Sequence, residues 1–152
     1  MHRATAKSEA TMLIRKLGPF VPDHILYIER GGRSLGLALA DQLKVDASGI
    51  DIGYPLSRLS HPLLRALVFP IKEICYRLSR PRLVRPPALL TERRLEAKKI
   101  LLVDDSASSG KTLDIAVHLL ESAGVNPIDV HVAVGRAGKR AYTCPYPLSH
   151  LA

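Results

Sequence analysis

The chain has 152 residues, enough to bury the core of one domain, and its 47% hydrophobic and 24% charged content excludes a disordered chain. Its two cysteines, Cys75 and Cys144, stand in no metal or redox spacing, and no apolar run reaches spanning length; these exclude a disulfide framework and a transmembrane helix. A formal net charge of +8 points to anionic partners (phosphorylated metabolites, nucleic acid or an acidic membrane surface), with an ordinary solvated basic surface as the alternative.

Taken in order, residues 5 to 17 place Ala6, Ala10, Leu13, Ile14 and Leu17 on one helical face, with Gly18 and Pro19 as a stop. Ile25 to Ile28 is a short apolar run bounded by Pro22 and Gly31-Gly32, as expected of a central strand. Glu29-Arg30-Gly31-Gly32-Arg33 follows it. Paired glycines at this position allow a ligand close to the backbone; a plain strand-to-helix turn with exposed arginines is the alternative. Ser34 is then expected to cap a helix burying Leu35, Ala38, Leu39 and Leu43.

From Val45 to about Leu95 the pattern is weak, broken by Pro55, Pro62, Pro70, Pro81, Pro86 and Pro87. An apolar, basic stretch from Leu63 to Leu78 has helical character and suits packing, self-association or a membrane surface. Arg77, Arg80, Arg82, Arg85, Arg93 and Arg94 crowd the next segment, where the prolines argue for a loop. Ile100 to Val103 reads as a strand buried on both faces, followed by Asp104-Asp105 and a turn from Ser106 to Thr112. A helix burying Leu113, Ala116, Val117, Leu120 and Ala123 ends at Gly124. Ile128, Val130, Val132 and Val134 alternate as another strand, and the tail from Gly135 is polar and turn-rich. Alternating strands and helices predict an α/β fold with a parallel, Rossmann-like sheet flanked by helices. One domain over residues 1–152 is expected, with a basic, apolar and proline-rich insertion at about 54–95. The N-terminus carries no signal-peptide pattern, so a cytoplasmic protein is expected.

The stretch Ile100 to Leu113 carries the chemistry. A strand, an acid pair and a small-residue turn into a helix N-terminus make a place where backbone N–H groups and the helix dipole favour phosphate. A Walker A loop requires glycine five positions before Gly110, where Asp105 stands, and an acid there would face the phosphates. Neither glycine cluster has dinucleotide-binding spacing. A receiver domain places its paired acids near the start of the chain, whereas Asp104 and Asp105 fall in the last third.

The run Val103-Asp104-Asp105-Ser106-Ala107-Ser108-Ser109-Gly110-Lys111-Thr112-Leu113 closely resembles the 5-phosphoribosyl 1-pyrophosphate motif of the type I phosphoribosyltransferases. Strand, two acids, variable residues, a hydroxyl residue, Gly, one variable residue and Thr all occur at the family's spacing. Arg30-Gly31-Gly32 is similar to that family's pyrophosphate loop after the first core strand. The resemblance implies the family's fold, here with a small or reduced hood, and a glycosyltransferase that joins ribose 5-phosphate to a nitrogenous base, a purine first among them, releasing pyrophosphate. It also implies the roles. Asp104 and Asp105 hold the ribose hydroxyls and, directly or through water, Mg²⁺. Ser106, Ala107, Ser108, Ser109, Gly110, Lys111 and Thr112 hold the 5′-phosphate, while Arg30, Gly31 and Gly32 approach the pyrophosphate. Asp104, Asp105 and Arg30 are the expected catalytic residues. A homodimer is common in the family, and Leu63 to Leu78 could serve it.

Members acting on 6-oxopurines commonly carry another Asp where this chain has Ser108. Tyr142 or Tyr146 could stack on a base and Lys139 could meet an exocyclic oxygen, with a surface role as the alternative for each. The alternative function is a regulator that keeps the sugar-phosphate site without turnover and turns its basic surface to nucleic acid or an acidic partner.

Overall fold

The structure, a computed structural model, describes residues 3–29, 31–53, 82–85, 98–107, 110–137 and 147–150. Its elements are α1 (Arg3–Leu17), β1 (His24–Ile28), α2 (Arg33–Leu43), β2 (Asp46–Gly53), β3 (Arg82–Arg85), β4 (Ile100–Ala107), α3 (Lys111–Ser122), a 3₁₀ turn (Pro127–Asp129), β5 (Val130–Ala137) and β6 (Leu148–His150). The strands form one sheet in the order β3-β2-β1-β4-β5-β6. Only β3 runs antiparallel to its neighbour; the other five strands are parallel.

This order explains the composition of the strands. Ile25 and Tyr27 of β1, with Leu101 and Val103 of β4, pack beneath α1 and α2 around Leu13, Leu35 and Leu39. The alternate residues Leu26, Ile28, Ile100 and Leu102 pack with Leu113, Leu120, Val130 and Val132 on the α3 side. Both faces of the central strands are therefore covered, so β1 and β4 read as unbroken apolar runs. The chain leaves β1 toward β2 on one side and returns to place β4 on the other. The gap between the carboxyl ends of β1 and β4 is thus the topological switch point, where open α/β sheets bind ligands.

The expected first helix, central strands and helix after Gly110 are all present, and α3 ends as the sequence suggests. Gly124 takes φ +87°, its N–H donates to Glu121 O (2.9 Å), and Val125 N–H donates to Leu120 O (3.0 Å). Those two bonds satisfy carbonyls that the helix end would otherwise leave open.

Other expectations are corrected. Ser34 does not cap α2; the N-cap is Gly32 and Ser34 lies in the helix's first turn. Ile128 is not a strand residue: it is 79% exposed in a 3₁₀ turn whose N-cap, Asn126, accepts a bond from Ile128 N–H through its side chain at 3.2 Å. Arg82 to Arg85, expected in a loop, pair with β2, and the tail from Gly135, expected to be turn-rich, completes β5 through Ala137 and contains β6. β6 is held by polar contacts. His131 Nε2 lies 3.0 Å from Ser149 Oγ, which donates to Lys16 O at 3.2 Å, and Lys16 Nζ donates to His150 O at 2.7 Å. The apolar stretch Leu63 to Leu78, Arg77, Arg80, Arg93, Arg94, Lys139, Tyr142 and Tyr146 lie outside the described residues.

Candidate functional site

Two strand-to-helix turns and the end of β4 enclose a cleft of about 240 Å³, bordered by Gly31, Asp104, Asp105, Ser106, Gly110 and Thr112, with Ile28, Ile52 and Leu113 as apolar wall. β4 runs further than its apolar core suggests. Instead of turning after Val103 it stays paired with β5 through Ser106 and Ala107, opposite Arg136 and Ala137. Asp104 and Asp105 are therefore held by a sheet backbone rather than a loop.

The two acids differ. Asp104 is buried at 7% exposure, and its Oδ1 accepts the Asp105 N–H at 2.8 Å. Burial, then the neighbouring Asp105 charge, raise its pKa to about 7, against a smaller opposing effect of the backbone hydrogen bonds from Asp105 and Ser106. Asp105 is half-buried and its Oδ1 accepts from Ser106 Oγ at 3.3 Å. Its carboxylate lies against Gly31, in the space a side chain there would fill.

The turn after β1 is tight. A Cβ at Gly32 would stand 2.5 Å from Val103 O, 3.0 Å from Asp104 Cα and 3.1 Å from Ile28 O, so only glycine seats α2 on the ends of β1 and β4. Gly31 N–H donates to Glu29 O at 3.0 Å. The turn after β4 uses glycine differently. Gly110 caps α3 with φ +72°, and α3 carries no side-chain cap. The first N–H groups of α3 begin beside the cleft, with Thr112 on its wall. The structure thus brings Gly31, Gly32, Asp104, Asp105, Ser106, Ala107, Gly110, Lys111 and Thr112 to one end of the sheet; Arg30, Ser108 and Ser109 lie outside the described residues.

A family model described as the phosphoribosyl transferase domain matches residues 7–143. The chain belongs to this family. It is a phosphoribosyltransferase by that membership, and its parallel sheet with flanking helices is the type I phosphoribosyltransferase fold. Solved structures agree on the fold. A purine phosphoribosyltransferase from Pyrococcus horikoshii Ot3 is similar at a TM-score of 0.70 and 18% identity, over 99% of this chain and 84% of that one. A hypothetical protein from Neisseria gonorrhoeae with bound ppGpp is similar at 0.67 and 19%, over 97% and 76%. An APRTase from Giardia lamblia complexed with 9-deazaadenine is similar at 0.60 and 18%, over 88% and 67%. No curated protein matches the sequence.

Two residues of this phosphoribosyltransferase escaped the sequence reading. Glu29 is half-buried, and its carboxylate lies over Gly49 of β2, in the space a side chain there would share with the Tyr27 ring. Arg136 is exposed on β5, in register with Ser106 one residue past the acid pair. A charged residue ending a buried strand was the available signal for Arg136. Glu29 had none, because its seat is a glycine on another strand.

Proposed function

We propose that this phosphoribosyltransferase transfers ribose 5-phosphate from 5-phosphoribosyl 1-pyrophosphate to a nitrogenous base, a purine, with release of pyrophosphate. The observation that carries the reading is the meeting of an acid pair with two glycine-capped helix N-termini around one cleft. Each part suits one piece of the donor. Ionised Asp104 and Asp105 are strong acceptors for the two ribose hydroxyls. The N-terminus of α3, with Thr112 and the turn from Ser106 to Lys111, suits the 5′-phosphate. Gly31 and Gly32, just before α2, with Arg30 ahead of them in sequence, suit the pyrophosphate. Exposed Arg136 is offered as a contact to the base or its exocyclic oxygen.

No cluster of three or more His, Cys, Asp or Glu occurs among the described residues. That fits Mg²⁺, which is commonly held by one or two carboxylates together with substrate phosphates and water. Asp104 and Asp105 supply oxygen donors of the right kind, and when bound the ion would neutralise charge on the departing pyrophosphate. The protein's remaining task is positioning. The acids fix the sugar and the two helix ends fix its phosphates, so that a ring nitrogen meets the anomeric carbon as the pyrophosphate leaves. No covalent protein nucleophile is needed.

The purine assignment is supported by the purine phosphoribosyltransferase and the APRTase with 9-deazaadenine among the structural neighbours. We read the chain as one domain working in the cytoplasm as a homodimer. A second reading, a regulator that binds a phosphorylated ligand without turnover, is favoured by the ppGpp held by the Neisseria gonorrhoeae neighbour. One assay separates them. With the sugar pyrophosphate, Mg²⁺ and a panel of purine and pyrimidine bases, pyrophosphate release with at least one purine is expected. Tight sugar binding without release from any base would leave the regulator.

A further inference from the structure

Glu29 joins the end of β1 to the turn that carries Gly31 and Gly32, and its backbone is committed on both sides. Its N–H donates to Ile50 O at 2.9 Å, which ties it to β2, and its carbonyl accepts the Gly31 N–H at 3.0 Å, which closes the turn. The side chain leaves in another direction. A Cβ at Gly49 would overlap Glu29 Oε1, approach its Cδ at 2.8 Å and meet Tyr27 Cε2 at 2.7 Å, so the half-buried carboxyl group is lodged in a notch that only a missing side chain provides. Gly49 is in register with Tyr27, which belongs to the core beneath α1 and α2, whereas Ile28 and Ile52 of the cleft wall belong to the core on the α3 side. The carboxyl group therefore lies on the sheet face opposite that wall, and neither Glu29 nor Gly49 borders the cleft. The neighbouring ring is held in the same manner, since a Cβ at Gly36 of α2 would stand 2.5 Å from Tyr27 Cβ.

Resting on the site reading above, we propose that Glu29 is a positioning residue for the pyrophosphate turn: its side chain, lodged over Gly49, fixes where Gly31 and Gly32 stand relative to Asp104 and Asp105. The Gly31 N–H hangs from the Glu29 carbonyl, so whatever holds Glu29 holds the turn. The ribose end of the donor is placed by β4, and the pyrophosphate end by a turn anchored through Glu29 to β2. A shift of that turn moves the leaving group against an anomeric carbon that stays in place, and small misplacements of this kind are costly. The role is one of shape and reach. A side chain of the same length with a planar end fills the notch whether or not it is charged, and a shorter one does not.

The test is calorimetric binding of the sugar pyrophosphate and of ribose 5-phosphate, which lacks the pyrophosphate, to the full chain with Mg²⁺. Glu29→Asp keeps the charge and loses the reach; it is expected to weaken sugar pyrophosphate binding about tenfold and to leave ribose 5-phosphate binding within about twofold of the parent. Glu29→Gln keeps the reach and loses the charge, and is expected to bind both ligands within about twofold of the parent. Gly49→Ala alters neither the turn nor the cleft but evicts the carboxyl group. It is expected to reproduce the selective loss, and to add little to it when combined with Glu29→Asp, because both changes break one contact. Three results would overturn the proposal: sugar pyrophosphate binding unchanged in Glu29→Asp, a loss that Glu29→Gln shares, or an equal loss for both ligands, which is the mark of a merely structural role. In each of these the parent still binds the sugar pyrophosphate and the site reading stands. A parent that binds neither ligand would overturn the site reading itself.

Discussion

The turns that follow β1 and β4 both place glycine at a helix N-cap, for different physical reasons. Gly32 has an ordinary backbone, φ −72° and ψ −13°, and is glycine because a Cβ would strike the backbones of two strands. Gly110 has φ +72° and ψ −10°, a conformation that side chains resist. The first turn is a matter of packing and the second of torsion. The lesson concerns the ligand: neither cap residue has a side-chain acceptor, so neither helix start is closed by its own cap.

The largest test of the contrast is Gly32→Ala. The atoms it would meet are backbone rather than flexible side-chain ends, so β1 and β4 must part. A loss of about 3 kcal/mol in stability is expected, read from the urea midpoint, together with loss of sugar binding. A loss under about 0.5 kcal/mol would mean that the turn yields and that packing is not its constraint.

Asp104→Asn probes the acid that joins the two turns, since its Cα meets Gly32 and its carboxyl borders the cleft. The folded chain holds the Asp104 proton up to about pH 7, against 3.8 for the ordinary group, with burial the main cause. Between those values the folded state binds more protons than the unfolded one. Stability therefore falls as pH rises from about 4 to 7 and stays reduced above. Asparagine keeps the acceptor for Asp105 N–H and carries no charge to desolvate. The variant is expected to be more stable than the parent by about 2 kcal/mol at pH 8 and no more stable at pH 3.5, while losing sugar affinity. Denaturation curves at the two pH values check it. Equal stability at both would show that Asp104 is not strained by burial.

Gly110→Ala should cost about 1 kcal/mol, and Gly110→Asn about half of that, because asparagine tolerates the left-handed region better than alanine. If alanine proves the milder change, the turn has relaxed out of that region and torsion is not its constraint.

How much of this was legible follows from which force built each part. Ile100 to Val103 and the face of α3 are written in apolar periodicity, and the acid pair with Gly110 is written in motif spacing, so both can be read from one chain. β2 could not be: Ile50 and Ile52 reach one core cluster and partly buried Ala47 the other, while at Gly49 the missing side chain leaves room for Tyr27 of β1 and for Glu29 just after it. β6 is three residues held by Ser149 between His131 and Lys16, a bond pattern with no sequence period. At the site, the motif named the acids but could not say that Asp105 rests on Gly31 and Asp104 is buried, because those differences arise from the packing of β1 against β4.

The smallest expected effect tests the corrected cap. Ser34 follows a Gly-Gly-Arg turn and has the chemistry of an N-cap, which would make its loss cost about 1 kcal/mol. In the structure the helix has already begun: Arg33 is its first residue, Gly32 its cap, and Gly36 N–H bonds to Gly32 O at 2.7 Å, while Ser34 is exposed in the first turn. Ser34→Ala should therefore stay within about 0.3 kcal/mol of the parent, since alanine's helix propensity offsets any weak hydroxyl contact. A loss near 1 kcal/mol would move the start of α2 two residues on, lift Gly32 out of the cap, and remove the packing reason for its glycine that separates this turn from the one at Gly110.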